Sequence, residues 1–277
     1  MIRQTFWRRF AASRVGLVGL AVLLLALVVA LTAPILFPGD PFAIVGRPFQ
    51  PPSAAHLFGT DSLGRDMATC LAHGAFTSLT IGVVATSVAL LIGTVIGAFS
   101  GFYGGIVDNL LMRVTELFQT IPSFIFAIVL VAILSPSVTS TVVAIAVVSW
   151  PPIARLVRGE FMTLRRREYV EAAIVLGMGD LQTIFRQILP NCASPIIVTG
   201  SLLIATAILI ESALAFLGLG DSNVMSWGFM IGSGRTYLRS AWWLCAIPGF
   251  AILLTVLAIN LVGEGLNDAL NPRLRTL

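Results

Sequence analysis

The chain has 277 residues, of which 57% are hydrophobic and 11% charged, against about 25% charged in an average soluble domain. Its mean hydropathy is +0.95, and several runs reach the ~20 apolar residues needed to cross a bilayer. That excludes a soluble enzyme and sets the fold class as all-α, a polytopic helical membrane protein.

The net charge of +4 rests on seventeen basic residues, all arginine. A P-loop needs a lysine to reach nucleotide phosphates, so the chain has no such ATPase site and a partner must supply any ATP hydrolysis. The arginines cluster beside apolar runs, which points to membrane orientation and anionic lipid rather than to nucleic acid. Cys70, Cys192 and Cys245 lack a C-x-x-C spacing, so no zinc or redox motif follows. Cys70 and Cys245 could pair, but single thiols in membrane helices usually serve packing.

Residues 1–14 carry Arg3, Arg8, Arg9 and Arg14 around Phe6, Trp7 and Phe10, a basic amphipathic lead-in suited to a membrane surface. Residues 15–37 are the first expected span, too long and too poor in small residues at its end for a cleaved signal peptide. Residues 38–75 form a proline-rich polar connection. It contains His56-Leu-Phe-Gly59-Thr60-Asp61-Ser-Leu-Gly64-Arg65-Asp66, where the glycines permit tight turns and Asp61, Arg65 and Asp66 can pair. His56 and His73 read as hydrogen-bonding loop residues rather than metal ligands.

The second expected span, 76–99, bears Gly93, Gly97 and Gly101 in one stripe, which lets helix backbones approach closely. The third, 112–134, contains Pro122 and should bend there. The fourth starts at Val138 and meets Pro151 and Pro152 near its end. The fifth, 193–217, holds Glu211, whose charge at membrane depth must face protein or water. This glutamate reads either as a packing hydrogen-bonder or as a pathway group. Residues 218–241 are a glycine-rich loop, and 242–262 the sixth span.

Between the fourth and fifth spans lies the longest polar interruption of the second half, Arg165 to Asn191. It reads as two short helices. The first covers 168–176, with Gly177 and Gly179 as residues suited to positive φ. Asp180 is expected to cap the second, and Pro190 to open a new segment. Ala172 and Ala173 leave one face flat.

Glu171-Ala172-Ala173, Gly177 and Leu189-Pro190 resemble the "EAA" loop of ABC importer permeases, written E-A-A-x3-G-x9-I-x-L-P. The isoleucine position holds Gln187, with Ile188 one residue further on. The Gly59–Asp66 stretch, the run from Glu211 to Gly220 and the tail from Asn260 to Arg273 are similar to the oligopeptide/dipeptide/nickel branch, C-type subunit. The resemblance implies a type I permease fold with six spans and an ATP-driven importer. In it, Glu171, Ala172, Ala173, Gly177, Leu189 and Pro190 dock on an ATPase. It implies a longer B-type permease, two ATPase subunits that carry ATP and magnesium, and an extracytoplasmic binding protein. The chain itself would hold no catalytic residue, cofactor or metal. The expected domains are a cytoplasmic lead-in 1–14, a first span 15–37, an extracytoplasmic loop 38–75, a core 76–266 with cytoplasmic coupling loop 155–192, and a cytoplasmic tail 267–277.

Arginine counting agrees with that orientation. Thirteen of the seventeen fall in the N-terminus, the 101–113 turn, the 155–186 loop and the C-terminus. Peptide is favoured as substrate over nickel, because scattered cysteines and two loop histidines make a poor nickel path. A peptide needs a wide cavity lined by small, weakly polar groups, and Ser78, Thr80, Thr86, Ser87, Thr139, Ser140, Thr141, Thr199, Ser201 and Thr206 are the candidates. An ion-coupled transporter built on Glu211, or a scaffold without a pathway, are the other classes.

Overall fold

The computed structural model describes residues 8–270. Its helices in chain order are α1 (Arg14–Leu36), α2 (Met67–Tyr103), α3 (Gly105–Gln119), α4 (Ser123–Leu134), α5 (Val138–Arg165), α6 (Glu168–Val175), α7 (Asp180–Phe216), α8 (Trp227–Gly234) and α9 (Trp243–Leu270). Among the described residues no strand forms. Two isolated bridges, Ile44 with Arg65 and Thr60 with Asp66, tie the connection after α1. Helices α1, α2, α5, α7 and α9 are each long and apolar enough to cross a bilayer. Helices α3 and α4 qualify only as a pair, bent by 80°, and complete a set of six spans if the pair counts as one.

The helices outrun the spans that hydropathy marks. Helix α2 starts at Met67 rather than at 76, because Asp66 caps it: its Oδ2 accepts from Thr69 N and Thr69 Oγ1, both at 2.9 Å. At 37 residues and ~1.5 Å per residue, α2 exceeds the ~30 Å hydrocarbon core, so its ends project beyond it. Of the basic lead-in, residues 1–7 lie outside the described residues, and Arg14 already belongs to α1, capped by Ser13 Oγ at 3.2 Å from Gly16 N. Helix α9 continues to Leu270, past the expected start of the tail; residues 271–277 lie outside the described residues.

The third span differs most from its expectation. The helix begins at Gly105 instead of 112, stops at Gln119 and restarts at Ser123. Pro122 cannot donate a backbone hydrogen bond, and here it breaks the helix outright. Conversely, Pro151 and Pro152 sit in the middle of α5, which runs on to Arg165.

Helices α2 and α5 make the most extensive pairing in the molecule. A Cβ on Gly93 would sit 2.7 Å from Trp150 O, one on Gly97 2.8 Å from Val157 Cβ, and one on Gly101 2.6 Å from Arg158 O. The glycine stripe therefore brings the two backbones into direct contact. In lipid, where apolar tails solvate side chains as well as neighbours do, such contact supplies the association energy through dispersion. Helix α1 uses the same device on α9: a Cβ on Gly19 would meet Ala258 O at 2.7 Å, and Gly16 faces Gly265.

Candidate functional site

The arginine-rich connection leaves α5 at Arg165 and is anchored from within. Val170, Ile184 and Ile188 are fully buried with Phe161, Val157 and Cys192. Helix α6 carries Glu168 and Glu171 in its first turn, where acidic side chains complement the helix dipole. It ends in a Schellman arrangement: Gly177 N donates to Ile174 O at 2.9 Å and Met178 N to Ala173 O at 3.0 Å. Gly177 has φ +84°, whereas Gly179 has φ −67° and is an ordinary extended residue. Only the first of the two glycines is demanded by the backbone. Asp180 is the first residue of α7 and makes no side-chain cap, contrary to expectation.

Pro190 likewise opens nothing new, since α7 passes through it. Before it, Thr183–Ile188 winds as π-helix. Such a stretch closes i→i+5 bonds and widens the turn by one residue. It stacks Ile184 over Ile188, both buried, and leaves Gln187 half-buried with its amide 3.8 Å from Met178 Sδ. Ile188, inward like Ile184, lies one residue beyond the position where the motif has its isoleucine.

Of the motif residues, Glu171, Ala172, Gly177 and Pro190 are exposed, Ala173 is buried and Leu189 half-buried. The face that α6 presents is thus carried by Ala172 alone of the two alanines. Around it stand uncovered apolar side chains: Val175 and Leu176 are each 86% exposed, Leu181 57% and Phe185 51%. A crevice between Gly101, Gly104, Arg165, Arg166 and Glu171 flanks the helix.

A second arrangement braces this end and was not foreseen from the sequence. Asp108, in the first turn of α3, takes Arg158 of α5 in a two-point ion pair, and Ser100 Oγ of α2 donates to Asp108 Oδ1 at 2.5 Å. Three helices meet at one carboxylate. Partners separated by 50 positions leave no local periodicity to find.

At the opposite end, residues 37–66 fold as a cap over α8 and the start of α9. Gly59 and Gly64 have φ +78° and +84°. Thr60 is fully buried, donating to Arg47 O at 2.6 Å and accepting from Gln50 N at 2.9 Å. Asp61 Oδ1 accepts from Leu63 N and Arg65 N at 2.8 Å, and its Oδ2 lies 3.7 Å from Arg65 Nε. Asp66 turns instead to His56, 3.1 Å away, besides capping α2. His73 hydrogen-bonds Phe37 O at 3.1 Å, from within α2 rather than from a loop. The three cysteines are free.

Glu211 is 4% exposed. Ser226 Oγ donates to its Oε1 at 2.7 Å and Ser212 Oγ lies 3.3 Å from its Oε2. Ser226 also caps α8, and Trp227 N donates to Ser78 Oγ at 3.1 Å. A Cβ on Gly228 would meet Ser212 Cα at 2.8 Å and Glu211 Oε1 at 2.9 Å. The glutamate thus pins the short helix α8 against α7 and α2.

The architecture is an all-α bundle of five spans, or six with the bent pair α3–α4, with an exposed helical loop between α5 and α7, and the comparisons identify it as a membrane permease. Residues 93–276 match the family described as binding-protein-dependent transport system inner membrane component, and residues 2–52 match the N-terminal TM domain of oligopeptide transport permease C. The chain belongs to this family of importer permeases. It is 43% identical to the di/tripeptide transport system permease protein DppC of Pseudomonas aeruginosa, over 98% of this chain and 92% of that protein. It is 40% identical to the dipeptide transport system permease protein DppC of Alkalihalophilus pseudofirmus, over 99% and 90%. Its fold is similar to that in the solved structure of the inward-facing MetNI methionine ABC transporter, with TM-score 0.60 and 18% identity over 72% of this chain and 94% of that one. At that identity the likeness is one of fold.

Proposed function

We propose that the chain conducts di- and oligopeptides as one of two permease subunits in an ATP-driven importer, with α6 and its flanks as the docking element for an ATPase. The carrying observation is the cluster of Val175, Leu176, Leu181 and Phe185, uncovered on a loop that is itself firmly anchored by Val170, Ile184 and Ile188. Exposed apolar groups outside the spans mark a protein contact, and the rigid anchoring lets force on α6 reach α5 and α7. In this reading the ATPase-facing residues are Glu171, Ala172 and Gly177, with Leu189 and Pro190 fixing the return. The loop and both termini face the cytoplasm, and residues 38–66 face the binding protein outside. ATP favours one of two permease states by its differential affinity for the closed ATPase dimer. ATP and magnesium reside in those partners.

Peptide is preferred over nickel because the named relatives are peptide permeases and both histidines are engaged at the cap end. Co-expression with the second permease and the ATPase subunits tests the reading. An assembly should co-purify, and loaded binding protein should stimulate its ATP hydrolysis. Absence of the ATPase from a folded permease preparation would overturn it, and nickel accumulation without peptide uptake would overturn the substrate.

A further inference from the structure

At the end of α1 the molecule holds an open crevice of about 440 Å³, walled by α1, the early turns of α2, the connection after α1 and the loop before α8. Ala30 and Ala33, in the last two turns of α1, form a floor of small, buried side chains. Leu31 on α1 and Phe76 on α2 flank the opening, 59% and 53% exposed. Asp40, His73, Thr77 and Asn223 supply its polar groups.

The length of α1 sets the depth. Its 23 residues reach about 34 Å at ~1.5 Å per residue, against a hydrocarbon core of ~30 Å. The crevice, at the last turns, therefore lies where acyl chains give way to head groups. At its other end α1 is held on α9 through Gly16 and Gly19; here the gap opens between α1 and α2. An apolar gap at that depth, open at the side, takes up an acyl chain. Water in it would lose hydrogen bonds, and a vacant gap would lose dispersion contacts.

The rim selects the head group. Its one formal charge is the carboxylate of Asp40, and no arginine lines the crevice. Arg65 approaches as far as the Phe42 ring, 4.9 Å from its centroid, and faces Asp61. Asp40 Oδ1 accepts from Phe42 N at 2.9 Å, and among the described residues its Oδ2 takes no hydrogen bond. His73 is engaged by Phe37 O at 3.1 Å. The side-chain amide of Asn223 and the hydroxyl of Thr77 make no hydrogen bond among the described residues. Thr77 lies one turn further along α2 than His73, on the side away from the cap.

We infer that the crevice binds one aminophospholipid, of the phosphatidylethanolamine kind, from the leaflet beside the cap; on the orientation proposed above this is the outer leaflet. The ammonium pairs with Asp40, Thr77 and Asn223 donate to the phosphate, and an acyl chain lies over Ala30 and Ala33. A primary ammonium brings N–H donors to the carboxylate in a charge-assisted hydrogen bond. A trimethylated head group has no such donor, and a purely anionic one meets Asp40 as a like charge. The bound lipid ties α1 and the cap to α2, whatever the substrate of the transporter.

The test places the permease, assembled with its partner subunits, in nanodiscs of phosphatidylcholine and phosphatidylglycerol. A trace of phosphatidylethanolamine with a diazirine on its acyl chain is added, and the cross-linked peptides are mapped after irradiation. Label should concentrate on the segments of Leu31 and Phe76 over Leu253, which reports bulk lipid on an exposed face of α9. Unlabelled phosphatidylethanolamine should displace it, and equal phosphatidylcholine should not. Asp40→Asn should cut the excess by about threefold, the scale of one exposed charge contact. Thr77→Phe, which fills the gap, should remove the excess while label at Leu253 stays. Even label at all three segments overturns the inference. So does displacement by phosphatidylcholine as effective as by phosphatidylethanolamine, or undiminished label in Asp40→Asn. Cross-linking of a photoreactive residue at position 31 to a partner subunit, in place of lipid, overturns it too.

Discussion

Asp108 and Arg158 meet in a two-point contact, Nε to Oδ1 and Nη2 to Oδ2, both at 2.6 Å. The aspartate side chain is 12% exposed and the arginine 34%, so water screens the pair only partly. Planar guanidinium and carboxylate match in such a fork, which adds geometry to charge. The consequence is mechanical: the base of the broken span α3–α4 moves with the end of α5 that leads into α6. Asp108→Ala strands the Ser100 hydroxyl and the guanidinium, at a cost of about 1–3 kcal/mol. Asp108→Ala and Arg158→Ala should each lower thermal resistance in detergent, and the double variant should lose clearly less than the sum of the two. Strict additivity would show that the contact is not formed.

At Gly177 the expected fault is backbone strain. No atom lies within 4 Å of a Cβ built there, so space within this chain is not the constraint. A branched residue at φ +84° costs roughly 1–2 kcal/mol, whereas asparagine tolerates that region. Gly177→Val should therefore impair transport more than Gly177→Asn, at equal abundance. Ala172→Arg, on the exposed face, should leave the permease folded but weaken co-purification of the ATPase. Normal uptake by Ala172→Arg would remove Ala172 from the docking face.

Glu211 separates by substitution type. Glutamine keeps the carbonyl acceptor for Ser226 and offers an amide where Ser212 can accept, so Glu211→Gln should retain abundance and transport. Glu211→Leu leaves the Ser226 hydroxyl without its acceptor and should reduce the folded fraction on gel filtration. Loss of transport by Glu211→Gln with normal assembly would instead give the carboxylate a pathway role.

The α2–α5 contact should be intolerant of the smallest addition. In Gly97→Ala the new methyl would lie 2.8 Å from Val157 Cβ and 3.0 Å from Arg158 N, forcing the two helices apart. Gly249, with nothing within 4 Å, is the control. Gly97→Ala should lower membrane abundance and Gly249→Ala should not; equal abundance would mean that the helices separate at little cost.

Orientation is read by labelling intact cells in a cysteine-free background. Ser53→Cys, exposed in the cap, should react with an impermeant reagent, and Thr163→Cys, exposed near the end of α5, should not. The reverse pattern would invert the topology.

The sequence by itself determined the class and made the polar helical loop after the fourth span legible. Long apolar runs cannot be soluble, seventeen arginines without a lysine exclude a P-loop, and Glu171-Ala172-Ala173 with Gly177 is a local pattern on a single helix and its cap. Positive φ at Gly177 and the turns at Gly59 and Gly64 were legible for the same reason, each being a property of one residue in one turn, whereas Gly179, expected to share that region, has φ −67°. What the tertiary structure decided is whatever depends on residues distant in the chain. Helix ends moved, because Asp66 and Ser13 cap beyond the apolar zone that hydropathy measures. Pro122 broke its helix while Pro151 and Pro152 did not, since the fate of a freed carbonyl depends on the neighbours that reach it. Asp108 found Arg158 and Glu211 found Ser226 only when the helices packed. Of the ten candidate hydroxyls, Thr206 lines a mid-span crevice whereas Ser78 is buried against Trp227, because the side of a helix that meets protein or water is fixed by the bundle and not by the helix.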